Sequence, residues 1–198
     1  MSSQTGRPDR DAWRLFVAAP MPAAAAEEAA AAMAALRGRH PDTRWLPPHK
    51  FHLTLVFLGQ TASRDVQRIA AVTAAVAQRH RAYQVVTGDG GGRVHSQRGG
   101  VCWLRLAEGG SETAQLALDL DADLGSATYD ATHTPHPHLT LARGIDRATL
   151  EDVRSTARGL TLRWTADRVV LFRSYTDPAG SIYEELADFA LRGSRTVD

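Results

Sequence analysis

Two short runs of this sequence carry residues suited to exchanging protons around an anion. The run Phe51-His52-Leu53-Thr54-Leu55-Val56-Phe57-Leu58-Gly59 contains His-Leu-Thr-Leu, and His138-Leu139-Thr140-Leu141 repeats it. Imidazole titrates near neutrality, so of two such rings one can accept a proton while the other, protonated, donates one. The hydroxyls of Thr54 and Thr140 can each donate to a non-bridging phosphate oxygen. Acid–base assistance supplies about 10²–10⁴-fold in rate, and loss of one preorganised donor costs about 10²–10³-fold. A lone histidine in an apolar strand is more often a satisfied core or surface residue, and threonine favours strands through its β-branching. The same two residue types at the same offset in two runs favour chemistry instead.

A strand turns successive side chains to opposite faces, so His and Thr project from one face and the two leucines from the other. The leucine face should bury and the His–Thr face should look into something polar. Two such strands side by side would gather two imidazoles and two hydroxyls around one point, a pocket suited to a phosphate. Arg143 ends the second run as His-Leu-Thr-Leu-Ala-Arg. Its odd spacing from His138 puts it on the opposite face under strict alternation. It joins the pocket only if the strand ends or bulges first, and its forked guanidinium would then suit two phosphate oxygens. The bland alternative is a solvated strand end.

The elements that must position these runs alternate in kind. Residues 1–11 read as a disordered leader, 12–192 as one domain and 193–198 as a frayed tail. A strand over 13–19 precedes an Ala-rich helix from Pro22 to Leu36, with Pro at its start and Arg37-Gly38 after it. Arg44-Trp45-Leu46 is extended, and Pro47-Pro48 turns the chain into the first His strand. Ser63 N-caps a helix through about Gln78, where Val66, Ile69, Val72 and Val76 follow helical spacing. Tyr83–Val86 is a strand, Gly88–Gly92 a flexible turn, and Val101–Leu106 a strand. A helix from Ser111 carries Leu116, Leu120 and Leu124; the second His strand follows, then a helix over 148–157 and strands over 169–172 and 182–191. Strands interleaved with helices around a repeated motif give an α+β class with two related halves.

The chain has 198 residues, 43% hydrophobic and 23% charged, with a net charge of +1. That is the composition of a globular domain, with no global field to draw in nucleic acid, so anion binding must be local. No apolar run approaches the roughly 18–20 residues of a membrane span, and Met1–Arg10 contains no apolar signal segment. Cys102 is the one cysteine, which excludes an internal disulfide and fits a reducing cytoplasm.

Other patterns are weaker. His133, His136 and His138 form His-x-x-His-x-His, which invites a zinc reading, but Pro135 and Pro137 flank His136 and no nearby Cys or Glu completes a set. Asp119-x-Asp121-x-Asp123 has its glycine one position late for a calcium loop and reads as a solvated acidic helix end. Gly88–Gly92 lacks the Gly-Lys-Ser/Thr of a nucleotide loop, there is no Gly-x-Ser-x-Gly elbow, and Cys102 reads as core.

Arg44-Trp45 ahead of His52-Leu-Thr-Leu-x-Phe-Leu-Gly59, Pro137-His138-Leu-Thr-Leu-Ala-Arg143, and Ser174 with Gly180-x-x-Tyr183 occur in this order from about Trp13 to Leu191. In these the chain resembles the 2H phosphoesterase superfamily, and most closely its RNA 2′,3′-cyclic phosphodiesterase (2′-5′ RNA ligase) branch. The resemblance implies a LigT-like bilobal α+β fold, two pseudo-symmetric antiparallel sheets with outer helices and a central groove. It implies metal-independent hydrolysis of an RNA or nucleotide 2′,3′-cyclic phosphodiester to a 2′-phosphate, with 2′-5′ ligation as the reverse. No cofactor and no obligate protein partner is expected; the partners are RNA ends or small cyclic-phosphate nucleotides. By motif position His138 is the proton acceptor that activates water and His52 the donor to the leaving oxygen, while Thr54 and Thr140 hold the phosphate. Where relatives often carry Gly-x-Phe-Pro, this chain has Gly-Gly-Arg93-Val-His95-Ser. Two other readings stay open: an RNA-end binding module without turnover, and a zinc-dependent hydrolase.

Overall fold

The computed structural model describes residues 11–95, 99–126, 135–157, 160–177 and 180–193. The expected leader and tail lie outside these, apart from Asp11 and Gly193. The strands are β1 (Ala12–Pro20), β2 (Arg44–Trp45), β3 (His52–Ala62), β4 (Tyr83–His95), β5 (Gly99–Glu108), β6 (His138–Ile145), β7 (Arg163–Ala166), β8 (Arg168–Asp177) and β9 (Gly180–Ala190). The helices are α1 (Ala23–Ala32), α2 (Ala34–Arg39), α3 (Val66–Ala77), α4 (Gly110–Leu124) and α5 (Arg147–Ala157). None of them is long and apolar enough to cross a membrane.

The strands pair antiparallel in the order β7-β4-β5-β6-β3-β1-β8-β9, with β2 on β6. The two motif strands, β3 and β6, meet at the centre through a single residue pair, Leu53 with Leu139. The two halves of the expected α+β fold are therefore one nine-stranded sheet with a narrow seam. All the larger helices pack on one face. Ala29, Ile69, Leu116 and Val153 from α1, α3, α4 and α5 share a core with Leu53, Leu55, Leu139 and Leu141. Leu53 and Leu139 are fully buried, so truncating either to alanine should cost about 2–5 kcal/mol. The His–Thr side chains lie on the opposite face, where His52, Thr54 and Thr140 are half-buried and His138 is exposed.

Regular alternation breaks at matching places in the two halves. Thr54 pairs with Ala18 and Val56 with Val17, leaving Leu55 extra; Phe57 pairs with Phe16 and Gly59 with Leu15, leaving Leu58 extra. In β6, Thr140 pairs with Trp103 and Ala142 with Cys102, leaving Leu141 extra; Arg143 pairs with Val101 and Ile145 with Gly100, leaving Gly144 extra. These are β-bulges, each of which resets which face the following residues occupy. Leu55 and Val56 are accordingly both buried, as are Leu141 and Ala142.

Four elements differ from the sequence reading. The Ala-rich helix is interrupted at Met33, whose backbone (φ −92°, ψ 1°) ends α1 and starts α2 while its side chain enters the core. Ser63 opens a short 3-10 turn, and α3 starts after Asp65 without a side-chain cap. Most consequentially, Gly88–Gly92 is no turn: β4 continues through it, with a register shift against β5 between Thr87 and Gly90. A Cβ at Gly90 would lie 2.9 Å from Ala157 Cβ and 3.1 Å from the Val153 carbonyl, and one at Gly92 would lie 2.4 Å from Leu150. The glycines are there so that α5 can rest directly on the strand. The short strand β7 was not foreseen.

Candidate active site

Antiparallel pairing about Leu53 and Leu139 sets His52 toward Thr140 and Thr54 toward His138 across the seam, on the face opposite the buried leucines. The two motifs thus converge in one place. Each ring is held in the same way. His52 Nδ1 donates to the Lys50 carbonyl at 2.7 Å, and His138 Nδ1 donates to the His136 carbonyl at 2.9 Å. A carbonyl can only accept, so Nδ1 carries hydrogen in both rings and Nε2 is the exchanging nitrogen. In the neutral His52 ring Nε2 accepts from the Thr54 hydroxyl, 3.1 Å away.

Burial and neighbouring charges shift both rings toward the neutral form. Burial pushes His52 down to about 4, with the Arg143 and His138 charges adding to the effect and the Lys50 carbonyl opposing it. His138 is also lowered, by burial first and then by Arg143, Arg93 and His136, against the His136 carbonyl. Aromatic rings supply much of that burial. Phe16 lies 5.4 Å from His52, Tyr183 meets it edge-on at 5.6 Å, and Phe172 lies at 6.4 Å. Trp103 lies 5.3 Å from His138. Gly91 makes room for it, since a Cβ there would come within 2.5 Å of Trp103 Nε1.

The bulge at Leu141 provides the displacement that strict alternation denies Arg143. Arg143 pairs with Val101 and Thr140 with Trp103; Val101 and Trp103 are two apart on a regular strand, so Arg143 and Thr140 share a face. Its charge reaches both histidines. Of these rings only Tyr183 belongs to a motif legible in the sequence; Phe16, Trp103 and Phe172 lie in strands with nothing local to mark a role. One signal was available: consecutive apolar residues after each motif, Leu55-Val56 and Leu141-Ala142, break the alternation where the strands bulge.

The weaker patterns fall elsewhere. His133 lies outside the described residues, and among the described residues no three His, Cys, Asp or Glu side chains are grouped to hold a metal. Asp119 and Asp123 sit on α4 and bond His80 and Arg79 at 2.9 Å each. Asp121 is buried and bonds Ser126, so that segment is not wholly the solvated helix end expected. Cys102 is fully buried, and burial pushes its thiol up to about 12, which makes it a core residue.

A family model described as the 2′-5′ RNA ligase superfamily matches residues 22–178. The chain is 32% identical over 197 residues to the RNA 2′,3′-cyclic phosphodiesterase of Thermus thermophilus, covering 91% of each. It is 24% identical over 158 residues to the RNA 2′,3′-cyclic phosphodiesterase of Aquifex aeolicus, covering 76% of this chain and 82% of that protein. Among solved structures, E. coli LigT complexed with 3′-AMP aligns at a TM-score of 0.70 and 23% identity, covering 91% of this chain and 99% of LigT. TT0787 of Thermus thermophilus aligns at 0.66 and 28% identity, covering 92% and 100%. With this match across most of its length, the chain belongs to the 2′-5′ RNA ligase superfamily, the 2H phosphoesterases.

Proposed function

We propose that this chain hydrolyses the 2′,3′-cyclic phosphodiester of RNA ends or nucleotides to a 2′-phosphate, without a metal, through His52 and His138. The carrying observation is the Leu53–Leu139 seam, which brings two identically tethered imidazoles and two threonine hydroxyls to one spot. The name of the T. thermophilus relative supports the substrate class. In this reading His138 Nε2 takes a proton from water as the water oxygen bonds to phosphorus. The bond from phosphorus to the 3′ oxygen breaks, and His52 Nε2 gives that oxygen its proton. Thr54, Thr140 and Arg143 hold the non-bridging oxygens while charge builds on them. With the 5′ hydroxyl of a second RNA end in place of water, the same steps would leave a 2′-5′ phosphodiester and a free 3′ hydroxyl, which would be 2′-5′ ligation. A cytoplasmic site of action, in keeping with the single reduced Cys102, is part of the proposal.

Because burial leaves His52 neutral in the free protein, the donor must acquire its proton together with the anionic substrate. The deciding experiment measures turnover of a 2′,3′-cyclic substrate by His52→Ala and His138→Ala, with product analysis and a chelator control. A loss of about 10²–10⁴-fold in each is expected, with 2′-phosphate as product and full wild-type activity in chelator. Near-normal hydrolysis by either variant would sink the assignment.

A further inference from the structure

The two halves of the sheet carry corresponding rows of side chains across their strands, and the rows differ in kind. In the half that holds His52, Phe57 pairs with Phe16 and Phe16 with Phe172. Their ring centroids are 6.2 and 5.0 Å apart. In the half that holds His138 the corresponding places belong to Arg143, Val101 and Arg93, and β2 adds Arg44 beside Arg143. Directly paired residues share a face. Arg93, Arg143 and Arg44 therefore stand in one line on the His138–Thr140 face, across three strand spacings or about 14 Å.

All three arginines are exposed. Among the described residues none of them has a carboxylate within ion-pair distance. Arg93 lies 5.9 Å over the Trp103 ring, and the Arg44 guanidinium covers Gly144, where a Cβ would come within 3.0 Å of it. Like charges set opposite one another on paired strands are destabilising, so a row of three without counter-ions is a liability that a bound anion would relieve. The row lies two residues along the strands from the Trp103–Thr140 pair, about 7 Å. Arg44 and Arg93, at its two ends, thus stand beside the reacting group. An RNA strand that ends in a 2′,3′-cyclic phosphate has one covalently adjacent phosphate, the diester on the 5′ side of the last ribose.

We propose that Arg93 and Arg44, flanking Arg143, form a second phosphate subsite for that 5′ phosphodiester, so that oligonucleotide ends are better substrates than cyclic mononucleotides. This rests on the cyclic phosphodiesterase reading above.

The test compares kcat/KM for 2′,3′-cyclic AMP and for a trinucleotide ending in a 2′,3′-cyclic phosphate, across several salt concentrations. Wild type, Arg93→Gln, Arg44→Gln and the double variant are measured, alongside equilibrium binding of the trinucleotide ending in a 2′-phosphate. Wild type should favour the trinucleotide by about tenfold or more, the scale of one charge-assisted hydrogen bond. Each variant should lower trinucleotide kcat/KM by about three- to tenfold relative to that of the mononucleotide, and Arg44→Gln should leave the mononucleotide itself within about twofold. The slope of log affinity against log salt should become shallower by about 0.7 for each arginine removed. Equal losses on both substrates, or no loss on the trinucleotide, would overturn the subsite. If neither substrate is hydrolysed, the phosphodiesterase reading fails by itself. Binding then judges the row: a salt slope that falls with each substitution supports it, and one that does not move overturns it.

Discussion

The protonation of His52 is the point at which the proposed mechanism is most exposed to measurement. Burial holds this ring down at about 4 in the free protein, so at pH 7 about one molecule in a thousand carries the proton that a donor needs. A phosphodiester contributes one negative charge. Set about 4 Å from Nε2, in surroundings with an effective dielectric near 20, that charge is worth about 4 kcal/mol to the protonated ring. This amounts to about a thousandfold, enough to bring roughly half the complexes into the donating form. Two observables follow. By NMR, the His52 ring should titrate far below an ordinary histidine in the free protein and move sharply upward on saturation with a 2′-phosphorylated nucleotide. In kinetics, both kcat/KM and kcat should be bell-shaped in pH, with the kcat bell displaced to higher pH because it reports the complex. A His52 that titrates ordinarily when free, or does not respond to the nucleotide, would refute the reasoning. So would a kcat profile that is monotonic through neutrality.

Thr54→Val and Thr140→Val keep the strand shape and remove one donor each; kcat should fall about 10²–10³-fold with circular dichroism unchanged, and a drop below threefold would remove them from the phosphate site. Gly92→Ala places a methyl against Leu150 and the Val101 carbonyl, which should cost about 1–3 kcal/mol. Calorimetry should then show Tm lower by at least about 2 °C; an unchanged Tm would mean that α5 does not rest on the glycines as described. Acid should also weaken the fold. Because His52 is held at about 4 when folded, the unfolded chain binds its proton more readily. Stability is then complete above the ordinary histidine range and is lost as pH falls toward 4, by about 3 kcal/mol. Asp152, drawn down to about 2 by its bonds to Arg39 and His40, extends the loss from the ordinary carboxylate range toward pH 2. Urea titrations of wild type and His52→Gln should diverge as the pH drops below about 6, and parallel curves would rule out the His52 contribution.

The site was legible where period-two alternation suffices. His52, Thr54, His138 and Thr140 follow from residue type and spacing, and the burial of Leu53 and Leu139 confirms which face they occupy. Arg143 was not decidable in the same way, because its face depends on a bulge that is a property of two strands in register, not of one sequence. The glycines of β4 misled for a related reason. Gly88–Gly92 carries the local signal of a turn, yet its cause is non-local: clearance for Trp103 and for the backbone of α5. The interruption at Met33 is likewise tertiary, since nothing in the alanine run ends a helix there and the methionine side chain is drawn into the core. Short β7 buries Trp164 and Ala166 on alternate positions, a pattern too brief to read before its partner β4 is known.

The paired bulges also bear on how the sheet finds its register. A strand with regular alternation can slip past its neighbour by two residues and keep every side chain on its proper face, so pattern alone does not forbid the error. β1 against β3, and β5 against β6, are each interrupted twice at corresponding places. A slipped pairing would have to re-form both interruptions at residues that do not fit them, and would strand buried neighbours such as Leu55 and Val56 on the wrong side. The extra residues therefore act as keys that admit one alignment. The feature that turns Arg143 onto the face of the histidines also excludes this slip.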